Sequence, residues 1–98
     1  MIQNLININE ARAIILSFPK REFYSHEFIE EFAELHPQAY EAIRARYSTD
    51  ADRKAHSLIA RFLSVHADKG LDIEKISRGR HINKHGNLTT CALWRREY

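Results

Sequence analysis

Ninety-eight residues leave room for one domain of ordinary size, which excludes a catalytic domain joined to a regulatory one. Hydrophobic residues at 44% and charged residues at 29% describe a globular chain with one modest core, and the single cysteine, Cys91, excludes an intramolecular disulfide framework and any zinc site built on two thiolates. The net charge is only +2 but unevenly placed: Met1 to Glu41 carries three basic and seven acidic residues, Ala42 to Tyr98 twelve and six, so a negatively charged partner is expected to face the second half.

Asn7 opens the first helix, which runs to Phe18. Its side chain suits an N-cap, and Glu10 stands three residues on, as in a capping box. Ala11, Ile14, Ile15 and Phe18 give that helix an apolar face, and Pro19 stops it. The longest apolar run, Ala13 to Leu16, falls far short of the ~20 residues of a membrane span. No basic segment leads into an apolar one, so a cytoplasmic, reduced protein with no membrane partner is expected.

Phe23 and Tyr24 favour a brief strand. Ser25 is expected to cap a second helix, with Glu27 in its first turn, where the helix dipole favours negative charge. Phe28, Ile29, Phe32 and Leu35 form its predicted buried face. Pro37 is tolerated only at a first helical position, so a break falls at His36–Pro37. Ala39, Tyr40, Ile43 and Tyr47 continue the stripe beyond it.

Asp50 or Asp52 is expected to cap a further helix running to about Ala67, with Ala55, Leu58, Ile59, Phe62 and Leu63 on its core face. Gly70 sits where a left-handed residue ends a helix. Leu71, Ile73 and Ile76 then begin a strand. Leu88 to Arg96 alternates: Leu88, Thr90, Ala92 and Trp94 share one face, Thr89, Cys91, Leu93 and Arg95 the other. Both faces carry apolar groups, so the inward one is not decided. Asn83 to Asn87 joins the strands as a turn rich in Asn and Gly.

This order of helix, short strand, interrupted helix, helix and β-hairpin, from about Asn7 to Arg96, resembles the winged helix-turn-helix family. The expected fold is α+β: one small winged-helix-like domain over residues 1–98, with three or four helices, a short strand and a C-terminal hairpin. The resemblance implies that the short strand joins the hairpin in one sheet, that the last helix enters the major groove, and that the hairpin touches the neighbouring phosphates. The proline-interrupted second helix departs from that pattern.

On the last helix, Arg53, Ser57, Arg61 and Ser64 are spaced by four, four and three, which sets them on one side, flanked by Lys54 and His56. Arginine can bridge a guanine edge with two bonds and serine can reach phosphate or base, although a solvated helix face has the same composition. In the hairpin, Arg78, Arg80, His81, Lys84 and His85 cluster with no acid near them in sequence. Lysine and arginine brought to phosphate release counterions and give affinity without reading bases. Edge strands also use such charges against aggregation.

The function expected is therefore binding of nucleic acid, duplex DNA in particular, by a small regulator or accessory factor. Arg53, Lys54, Ser57, Arg61, Arg78, Arg80, Lys84 and His85 are the candidate site residues. The alternative is a protein-interaction module of the same fold, a homodimer included, using the acidic helix from Glu27 to Glu41.

Other chemistries have weaker support. Arg78-Gly79-Arg80 looks like the core of an AT-hook, but His81 stands where that motif has proline; a bulge or a close backbone approach at Gly79 fits better. His81, His85 and Cys91 offer three zinc ligands and no fourth. Glu27, Glu30, Glu31 and Glu34 have no basic or nucleophilic partner in sequence. The three glycines, Gly70, Gly79 and Gly86, are too scattered for a phosphate-cradling loop. No catalytic residue, metal or cofactor is expected.

Overall fold

The computed structural model describes residues 6–82 and 88–98. Among the described residues, four helices and three strands follow in chain order: α1 Ile8–Ser17, β1 Glu22–Tyr24, α2 Ser25–Leu35, α3 Pro37–Arg44, α4 Ala51–His66, β2 Ile73–Ile82 and β3 Leu88–Arg96. The strands form one antiparallel sheet in the order β1-β3-β2. The architecture is that of a small winged-helix-like α+β domain.

Local chemistry sets most of the boundaries. The Asn7 side chain accepts from the amides of Asn9 and Glu10, at 2.8 and 3.2 Å, and so satisfies two of the amides a helix start leaves open. Pro37 begins α3 after the break at His36. Gly70 takes φ +122° within a five-residue wide turn, Ala67–Leu71, that closes α4. That conformation favours glycine, and a Cβ there would also stand 3.2 Å from Ile8 Cγ2.

Several expectations change. Ser25 is the first residue of α2 rather than its cap; Tyr24 precedes it, and the Glu27 carboxylate accepts from the Tyr24 amide at 2.7 Å. The Ser25 hydroxyl instead accepts a buried hydrogen bond from Trp94 Nε1 at 2.9 Å. Leu35 is 53% exposed, because α2 ends on it and the chain turns at His36 before its side chain meets a second layer. Tyr47 lies beyond α3, which stops at Arg44, so it does not extend that helix's apolar stripe.

The core lies between the helices and one face of the sheet. Ile14 and Ile15 enter from α1, Phe28 and Phe32 from α2, Ile43 from α3 and Ile59 and Leu63 from α4. Phe23 and Trp94 close it from the sheet, paired in register across β1 and β3. Burying one such side chain is worth about 1.5–3 kcal/mol, so this layer holds the sheet against the helices. Leu58, expected in the core, packs against it partly buried.

β2 departs from regular alternation. Lys75 pairs with Trp94 and Ser77 with Leu93, leaving Ile76 as an extra residue in a bulge. In a regular strand, residues three apart point to opposite faces. The bulge brings Lys75 and Arg78 to the same face, since their partners Trp94 and Ala92 are two residues apart on β3. Gly79 is not the bulge. It is a close approach: a Cβ there would meet Tyr24 Cε1 and Oη, both at 3.0 Å. The turn at 83–87 lies outside the described residues.

Candidate nucleic-acid interface

A groove of about 1070 Å³ runs between α4 and the inner face of the hairpin, with the start of α2 beneath it. One wall is the α4 side carrying Arg53, Ser57, Arg61 and Ser64, and the opposite wall carries Lys75 and Arg78. The spacing that put the four α4 residues on one side is thus realised as one wall of a concave surface. The 1.5 Å rise per helical residue separates Arg53 from Arg61 by about 12 Å, comparable to the width of a DNA major groove.

The described basic side chains differ in what they bond. Some hold the fold together. Arg12 donates to Asp72 at 2.6 Å and to the Gly70 carbonyl at 2.7 Å, and lies over the Tyr98 ring. Arg96 donates to the carbonyls of Lys20 and Tyr98 at 2.9 and 3.0 Å, and Arg95 pairs with Glu74 at 3.2 Å. Arg61, Lys75 and Arg78 differ: among the described residues they are exposed and make no ion pair. Cations left unneutralised in one groove keep their charge available to an anion.

The two ends of the groove differ. At the α4 N-terminus the cap position falls on Asp50, one of the two acids expected there, and not on Asp52. Asp50 occupies the N-cap position in a left-handed conformation without a side-chain capping bond, and its carboxylate pairs with Arg53 at 3.2 Å. Asp52 takes Arg44 Nε at 2.6 Å, while Glu41 takes Arg44 Nη1 at 2.8 Å. Glu41 and then Asp52 push the Arg44 guanidinium above its ordinary value. Both acids therefore neutralise arginines at this end, and the unpaired charge lies towards the sheet.

The remaining candidates are distributed as follows. Lys54 stands on the other flank of α4, with Nζ 5.7 Å from the Tyr47 ring centroid and 3.5 Å from Thr49 Oγ1. A smaller hollow of about 290 Å³ lies there, and Arg53, Ser57 and Arg61 border both hollows. Arg80 is placed by its backbone alone, opposite Thr90 in the hairpin. Lys84 and His85 lie outside the described residues, and the zinc reading of His81, His85 and Cys91 goes with them. No three potential metal ligands come together among the described residues, and none of the described helices is long and apolar enough to cross a membrane.

Lys75, His26 and Arg44 line the groove and were not singled out from sequence. Lys75 was hidden by its spacing of three from Arg78, which only a bulge makes co-facial. His26, at the start of α2, also lines the groove, and no charge pattern marks it. Cys91 is buried beside it. Burial raises its thiol above the ordinary value, and hydrogen bonds from the His26 and Ser25 backbone oppose that shift. A protonated, buried thiol is a poor nucleophile.

No family model matches the chain, and comparison with the curated proteins and with the solved structures finds no match either.

Proposed function

We propose that the domain binds nucleic acid, with duplex DNA as the favoured form, and works as a small regulator or accessory factor rather than an enzyme. In this reading it belongs functionally with the winged helix-turn-helix proteins. Arg53, Ser57 and Arg61 of α4 face base edges, and Arg78 contacts backbone phosphate together with Arg80, Lys84 and His85 of the hairpin. One observation carries the reading: α4 and β2, separated along the chain by the wide turn, present Arg61 and Arg78 to one groove with neither guanidinium neutralised by a described carboxylate. A titration of a fluorescein-labelled duplex, followed by anisotropy at low salt, tests it. Binding is expected to weaken with salt and on Arg61→Glu or Arg78→Glu, with the circular dichroism spectrum unchanged. A flat titration with folded protein refutes it.

A second reading, a protein-interaction module or homodimer of the same fold, is supported by Leu35. This leucine is 53% exposed at the end of acidic α2, a half-open apolar contact beside Glu31 and Glu34 on the same helix. Self-association seen by sedimentation, lost on Leu35→Ala and indifferent to Arg78→Glu, would favour it.

A further inference from the structure

We infer that the sheet end of the groove is a discrete seat for one phosphate group, formed by Arg61 from α4 and by Lys75 and Arg78 from the bulged strand β2. This deepens the nucleic-acid reading by saying where along the groove a phosphate lodges, and it rests on observations that separate this end from the other.

The first is the bulge at Ile76. It turns Lys75 and Arg78, three residues apart, to the face that also carries Trp94 and Ala92, and all four line the groove. Arg95, whose register partner is Glu74, is neutralised by that carboxylate instead. Only the groove-facing pair of the strand is left charged among the described residues. The second is the fate of the other groove arginines. Arg53 and Arg44 are held by Asp50 and by Asp52 with Glu41, so an anion at the α4 N-terminus would displace carboxylates and meet their repulsion. A phosphate at the sheet end displaces no described partner and meets three donors of two kinds. The guanidiniums can each offer paired N–H groups to its oxygens, and the Lys75 ammonium acts as a point charge. Ser64, one turn beyond Arg61, adds a hydroxyl on the same wall.

The ligand chemistry is thus a phosphate ester, which can come from a nucleic-acid backbone or from a free phosphorylated molecule. The test is a ¹H–¹⁵N correlation titration of the full chain with inorganic phosphate, against chloride at matched ionic strength. Saturable shifts are expected at Arg61, Lys75 and Arg78. Affinity should fall at least about tenfold on Lys75→Gln or Arg78→Gln, as for loss of one charged hydrogen bond. It should be recovered in part by Arg78→Lys and be unmoved by Lys20→Gln. Trp94 fluorescence checks that each variant is folded, and the lysine variant keeps the test decisive if a glutamine variant is not. Shifts that do not saturate, or that spread evenly over all cations, overturn the seat.

A duplex then separates the sources. If bound duplex blocks the phosphate shifts, the seat holds backbone. If phosphate saturates the site but duplex does not bind, the seat stands with a free phosphate ester as its ligand and the nucleic-acid reading fails. If duplex binds while phosphate does not localise, the seat fails and the nucleic-acid reading remains.

Discussion

Ser25→Ala should destabilise the domain far more than its loss of one oxygen suggests. Ser25 and Trp94 are each 3% exposed, and the Ser25 hydroxyl accepts from the indole N–H at 2.9 Å. Alanine leaves that N–H buried without an acceptor, which costs about 1–3 kcal/mol. At the midpoint of that range, roughly 2 kcal/mol, a domain of this size loses roughly 8–16 °C in melting temperature. Trp94 is the sole tryptophan, so its emission follows unfolding directly in the single variant. A double-mutant cycle with Trp94→Phe, read by circular dichroism in urea, separates the bond from the packing of the indole. Removing both partners should restore at least about 1 kcal/mol relative to the sum of the single losses. A Ser25→Ala protein melting within about 2 °C of the parent, or a coupling of zero, would refute the claim that this bond fixes β3 to the start of α2.

Three phosphate contacts, by Arg61, Lys75 and Arg78, predict a slope of about −2.7 in log affinity against log salt, or about a fortyfold loss between 50 and 200 mM; Arg78→Gln should flatten the slope by about 0.9 and contacts from the hairpin would steepen it. Gly70→Ala should lose about 1–3 kcal/mol in urea unfolding, because φ +122° strains alanine and its Cβ would stand 3.2 Å from Ile8 Cγ2; an unchanged midpoint would contradict that backbone. Alkaline pH should weaken the fold: burial raises Cys91 from 9.0 and Tyr98 from 10.0, so the unfolded thiol and phenol ionise before the folded ones. The stabilisation is complete below the ordinary thiol value and is lost as pH rises towards the folded ones. Urea midpoints should therefore decline above about pH 9, and less steeply in Cys91→Ala. A rise over that range would show the sign to be wrong.

Much of the fold was legible because it follows local rules. Asn7 as a cap, Pro37 as a helix start and Gly70 at positive φ each depend on one residue's own chemistry, and each is found. Misreadings arose where a tertiary partner competed. Ser25 has a capping side chain, but the indole of Trp94, distant in sequence, claims it. Asp52 has the same capacity and is taken by Arg44 of the preceding helix, while Asp50 does stand at the cap position with its carboxylate on Arg53, three residues on. The α4 face of Arg53, Ser57 and Arg61 was readable because helical period alone defines it. Lys75 was not, because the bulge that turns it inward depends on pairing with β3. The alternation assigned to β3 holds, since its pairing runs without interruption from Leu88 to Arg96, but the inward face was undecided because both faces are covered: Cys91 is buried against the start of α2 and Trp94 against the core.

The strand order has a bearing on how the protein comes into being. β3 lies between β1 and β2, so neither neighbour has a hydrogen-bonding strand until residues 88–96 have left the ribosome. Phe23 must then find Trp94 across a loop of some seventy residues, whose closure alone costs about 4 kcal/mol of chain entropy. Until that happens the nascent helices have no sheet to cover their apolar side, and the same late event that completes the core also brings the two walls of the cationic cleft face to face.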